Sequence, residues 1–142
     1  MKGAPPYRKS GFFNNKILNP LMTALRLTPS LTVRGRASGR TYTMPVWPLE
    51  YQGRLYLVAP RGNTHWSRNL RAVGEGKLRL HGRTIPFKAT EIPAAQRAPI
   101  VAAYVERNGG RYGGFVAKEF DWMPDPADHP VFLVIESRSG KS

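Results

Sequence analysis

The residues with the clearest chemical reach form a basic, glycine-rich turn, Arg34-Gly35-Arg36-Ala37-Ser38-Gly39-Arg40. Glycine lets the main chain approach a ligand closely. Guanidinium forks match phosphate and carboxylate oxygens with paired hydrogen bonds. With the Ser38 hydroxyl and main-chain N–H groups added, the turn can grip one compact anion, so a phosphate-bearing ligand is expected. An ordinary hairpin turn with solvated arginines is the alternative, and a short glycine motif alone does not choose between them.

A second constellation runs Ala59-Pro60-Arg61-Gly62-Asn63 into Thr64-His65-Trp66-Ser67-Arg68-Asn69-Leu70. A strand-to-helix turn of this kind brings free N–H donors and partial positive charge to a helix N-terminus, which suits an anion. Trp66 and Leu70 stand four residues apart and read as core. Asn69 lies on the Trp66 face, where packing alone does not explain an amide. It needs a partner from a neighbouring loop or from a ligand.

Other chemistries find no footing. The three histidines, His65, His81 and His129, show no metal-ligand spacing, so no metal site is expected. The absence of cysteine removes disulfides, thiolate nucleophiles and cysteine-type metal sites, and fits a reducing cytoplasm. Ser38 lacks the strand–turn–helix context of an activated serine. Trp47 follows the Pro45 bend, where strands open or end. Tyr112, Phe115 and Trp122 lie in a glycine- and proline-rich stretch, where they either cover a ring-binding pocket or plug the end of a barrel.

The elements that must position these residues read as one domain within the 142-residue chain. Residues 1–28 form a basic arm and a short helix opened by Asn19-Pro20. Residues 29–142 form the main domain. Strands are expected at 30–34, 41–50, 54–59, 77–81, 83–91 and 131–135, with turns at Gln52-Gly53 and His81-Gly82. Helices are expected at 65–73, capped by Asn63 or Thr64 and ended by Gly74, and within 93–107, continuous from Pro99. Residues 108–114 hold four glycines and read as mobile; residues 121–130 read as an acidic loop. Strands without βαβ alternation argue against a doubly wound fold. The expected class is mainly β (α+β), a six-stranded small barrel with two or three short peripheral helices.

The net charge of +13 is uneven: residues 1–90 carry 16 Lys and Arg against two acidic residues, and residues 91–142 carry six against seven. Nucleic acid, anionic lipid and a polyanionic small ligand all answer to such charge. The charge and the aromatics permit a nucleic-acid-binding small β-barrel as the alternative function, yet the aromatics do not interleave with Lys and Arg as a stacking platform would, so no specific nucleic acid is expected. No apolar run reaches the roughly 18 residues of a membrane span. Lys2, Arg8, Lys9 and Lys16 interrupt any signal-peptide core, which gives a cytoplasmic expectation. The apolar segment around residues 21–27 either packs on the barrel or lies on a membrane surface.

The stretch Gly35-Arg36-Ala37-Ser38-Gly39-Arg40-Thr41-Tyr42-Thr43-Met44-Pro45-Val46 resembles a motif of the deazaflavin-dependent nitroreductase family. Trp66-Ser67-Arg68-Asn69-Leu70 with Ala72 resembles the family's Trp-x-x-Asn-Leu-x-Ala helix, and the resemblance covers roughly residues 17–107. It implies a split β-barrel and coenzyme F420, a deazaflavin carrying a phosphate and a polyglutamate tail, with FMN as the alternative within the same fold. By this resemblance, Arg36, Ser38, Gly39 and Arg40 hold the phosphate or tail carboxylates. Pro45, Val46, Ala59 and Pro60 border the ring, Arg61 and Gly62 add polar contacts, and Trp66 and Asn69 shape the site from the helix. Trp47, Tyr112 and Phe115 are the candidate acceptor-pocket residues. The implied activity is hydride transfer between the reduced cofactor and a small, flat, hydrophobic acceptor: a quinone, enone or nitroaromatic. The better-studied nitroreductases carry a serine near the position of Pro60, and proline offers no hydroxyl to a nitro group. Related barrels are often dimers, yet no long apolar edge here demands one.

Overall fold

A computed structural model describes residues 28–137. The expected arm and helix over residues 1–28 therefore lie almost wholly outside the described residues. Seven strands form one antiparallel sheet in the order β2-β1-β5-β6-β7-β4-β3. They are β1 (Ser30–Arg34), β2 (Thr41–Pro45), β3 (Leu49–Tyr51), β4 (Arg54–Val58), β5 (Glu75–Leu80), β6 (Arg83–Glu91) and β7 (Val131–Glu136). Among the described residues the α-helices are α1 (His65–Val73), α2 (Ala98–Asn108) and α3 (Arg111–Trp122).

The strand count is one higher than the sequence reading, because residues 41–50 form two strands. Proline cannot donate to a sheet ladder, and Pro45 and Pro48 bracket a break at Val46-Trp47-Pro48. This break shapes the molecule. β2 and β3 occupy opposite edges of the sheet, yet the four-residue step from Pro45 to Leu49 spans at most about 14 Å. The sheet must curl until its edges nearly meet, giving an unclosed barrel seamed by the linker. The two-residue turns Gln52-Gly53 and His81-Gly82 behave as expected. All four residues have positive φ (52° and 78°, 52° and 77°), the geometry whose twist matches a β-hairpin.

Alternation along the central strands builds two cores. Leu57 of β4 and Phe132 of β7 point into the barrel with Leu31, Val33, Leu78 and Phe87, under Leu70 of α1. Tyr56, Val58 and Val131 point the other way and pack on Ile100, Val101 and Tyr104 of α2 and Val116 and Phe120 of α3. A strand buried on both faces reads as a continuous apolar run; Val131–Val134 are buried or half-buried, which makes this strand legible, while Ile135 is exposed. The segment 108–114 spans the end of α2, the Gly109-Gly110 junction and the first turn of α3. Gly109 packs so closely that an added Cβ would lie 2.6 Å from the Val105 carbonyl oxygen. Its N–H donates to that same oxygen at 2.7 Å. The expected acidic loop is shorter than 121–130, since α3 runs to Trp122.

Candidate functional site

The basic turn is a braced hairpin loop between β1 and β2. The Gly35 N–H donates to the Arg40 carbonyl (2.6 Å), and the Arg40 N–H donates to Ser38 Oγ (3.1 Å). A side chain at Gly35 would collide with Ser38 Oγ and the Tyr42 ring, both 2.9 Å from its Cβ. The turn is pinned to α1 by Asn69, whose Oδ1 accepts from the Arg36 main-chain N–H (3.1 Å) and from Arg36 Nη1 (2.6 Å). The partner this amide requires is thus the neighbouring loop.

Helix α1 is itself tied to the sheet. Arg71 Nε and Nη2 donate to the two oxygens of Glu91 at 2.7 and 2.8 Å, and Arg97 Nη2 donates to Glu91 Oε2 at 3.0 Å. The Arg71 hydrogen bonds, reinforced by the charges of Arg71 and Arg97, hold the Glu91 carboxyl below the usual carboxylate range and outweigh its partial burial. At the other end of α1, the β4–α1 loop is fixed by His129. This residue is fully buried, with ring nitrogens 2.9 Å from the Ala59 carbonyl oxygen and 2.7 Å from that of Met123.

Two clefts open on this face. The larger, about 450 Å³, is walled by Pro45, Val46 and Trp47 of the seam, by Pro60, Arg61 and Thr64, and by Tyr104, Phe115, Val116 and Glu119 of the outer helices. The smaller, about 440 Å³, is walled by Gly35, Arg36, Ala37, Ser38, Tyr42 and Asn69. Met44, His65 and Trp66 line both. The clefts therefore adjoin, one mostly apolar and one floored by the basic turn.

Of the expected site residues, Pro45, Val46, Pro60, Arg61, Trp66, Trp47 and Phe115 meet in the larger cleft, and Arg36, Ser38, Asn69 and again Trp66 in the smaller. Gly39 and Arg40 stand exposed beyond these walls. Ala59 and Gly62 are buried behind the loop, Gly62 against Met123. Tyr112 falls in the first turn of α3, and its side chain is outside what is described.

Sequence reasoning misses two residues. Glu119 is nearly buried in the larger cleft and holds Arg61 Nε at 3.0 Å. Its partner is 58 residues earlier, a separation with no sequence signal. His65 lines both clefts, whereas its sequence spacing speaks only to metal ligation. Behind Trp47, the Arg111 guanidinium lies 3.7 Å from the ring centroid, and its Nε donates to Asn108 Oδ1.

The model of the F420H(2)-dependent quinone reductase family matches residues 12–118, three quarters of the chain. The chain belongs to that family. It is an F420-dependent reductase, and coenzyme F420 is its cofactor. Among solved structures, the barrel is similar to an F420-H2 dependent reductase, FDR-A, at 23% identity, with 75% of this chain and 91% of that one covered and a TM-score of 0.56. It is also similar to protein Rv2991 of Mycobacterium tuberculosis (14% identity, 97% and 87% covered, TM-score 0.54) and to the heme storage protein HutZ of Vibrio cholerae (15%, 84% and 90%, 0.52). At these identities the likeness is one of fold, and it places the reductase among split β-barrels. No curated protein matches the sequence.

The donor set suits this cofactor. The basic turn offers two arginines, a hydroxyl and a close main chain to anionic groups, while the larger cleft offers apolar walls and few polar groups, as ring pockets do. Thr64 marks the larger cleft further. It occupies the N-cap of α1 without capping it, and its Oγ1 is buried with no partner among the described residues.

Proposed function

We propose that this reductase seats the deazaflavin ring in the larger cleft and the phosphate and tail at the basic turn, and passes hydride to a flat, conjugated, uncharged acceptor, a quinone first among them. The observation that carries this reading is the junction of the two clefts at Met44, His65 and Trp66. A ligand with an apolar ring and an anionic tail matches such a pair; a ligand of one character does not.

The cofactor, when bound, supplies the hydride; the chain supplies position, exclusion of water and charge. Arg36 and Ser38 hold anionic oxygens, with Arg36 aimed by Asn69. Pro45, Val46 and Pro60 flank the ring, and Trp66 shapes its edge. Trp47 and Phe115 leave an aromatic slot for the acceptor. A quinone or enone needs only that slot and a donor for its carbonyl oxygen. Enones come second, and nitroaromatics last, because Pro60 offers no hydroxyl.

The test is a fluorescence titration with F420, with FMN in competition, followed by turnover of the reduced cofactor with menadione, cyclohexenone and a nitroaromatic in parallel. Saturable F420 binding with menadione turnover is expected. FMN binding without F420 binding at tens of micromolar would replace this reading with a flavin protein of the same fold.

A further inference from the structure

The exposed imidazole of His65 stands where the two clefts join, flanked by Met44 and Trp66. Of the other two joint residues, Met44 offers a weak thioether acceptor and Trp66 an indole N–H donor, so His65 is the side chain at the joint that can both donate to and accept from an oxygen-rich segment crossing between the clefts. We infer that His65 is a ligand-binding residue for the phosphate-bearing segment that links ring to tail, and that it couples the two clefts into one site. The inference rests on the proposed seating of the cofactor and adds a residue to it. Imidazole can donate to a phosphate oxygen or accept from a hydroxyl, so it suits such a linker in either protonation state.

The experiment compares two probes on the full-length protein: F420, and the deazaflavin riboside that lacks the phosphate and tail. His65→Ala should weaken F420 about tenfold and the riboside less than twofold, and His65→Gln, which keeps a hydrogen-bonding end, should recover most of the F420 affinity. The melting temperature of the cofactor-free protein should stay within about a degree, because an exposed side chain contributes little to folding. Equal losses for both probes would place His65 against the ring and overturn the inference, as would no loss for either. Wild-type protein that binds neither probe would overturn the proposed seating as well, so the two failures are distinguishable.

Discussion

Asn69 on α1 accepts two hydrogen bonds from Arg36 of the β1–β2 turn, one from its main-chain N–H and one from its guanidinium. One amide oxygen thus sets both the position of the loop and the aim of its cation. Among the described residues, this contact joins the first motif to the second, which stand 33 residues apart.

Asn69→Leu keeps the volume and removes the acceptor. Folding stability should fall by roughly 1–3 kcal/mol, since a partly buried N–H loses its partner. F420 affinity should fall with it, because the guanidinium is no longer aimed. Urea denaturation and cofactor titration of the same preparation measure both. Loss of stability with unchanged affinity would make Asn69 a packing residue alone.

Arg36→Ala separates the two effects. Its main-chain N–H still reaches Asn69, so stability should drop by about 1 kcal/mol or less. Cofactor binding should weaken by roughly 1.5–3 kcal/mol, the range for hydrogen bonds to charged groups. Unchanged cofactor affinity would return the turn to the role of a simple hairpin.

The Glu91 clamp gives a pH signature. Its carboxyl is held below its unfolded value of about 4.3 by Arg71 and Arg97. The stabilisation is therefore complete above that value and is lost as pH falls through the lower folded one. Glu91→Gln should be less stable than wild type at pH 7, and the gap should close on acidification below about pH 4. A gap that is constant down to pH 2.5 would mean that charge plays no part in the clamp.

Gly113 and Gly114 take φ of 68° and 89° in the first turn of α3, and a Cβ added at either would meet only open space. Either glycine replaced by alanine should cost roughly 1–2 kcal/mol from the backbone alone. Gly110→Ala, where φ is −80° and space is open, should be neutral or slightly stabilising. Thermal melts of the three variants decide it, and equal shifts would contradict the backbone argument.

Much of this is legible in the sequence, for identifiable reasons. The turns at Gly53 and Gly82 and the helix from His65 to Gly74 carry local signals, and the fold follows from them. The basic turn and the Trp66–Asn69 helix announce themselves by composition. The split of residues 41–50 is written in Pro45 and Pro48, but alternation across Val46 and Trp47 masks it. Helix α3 is illegible because Gly109, Gly110, Gly113 and Gly114 signal a flexible loop unless the close packing of Gly109 and the backbone angles of the others are known. Glu119 and His65 enter the site through tertiary geometry, to which local pattern is blind.

The place of β7 sets the order in which this barrel can be completed during synthesis. It lies between β6 and β4, although among the described residues it is the last strand in chain order. A nascent chain that ends before Val131 can pair β2-β1-β5-β6 and, separately, β3-β4, as two sheets with unmatched inner edges. Contacts between distant parts of a chain form slowly, so both edges wait on six late residues. Until those residues arrive, the two halves of the proposed cofactor site belong to pieces of sheet that no strand yet joins.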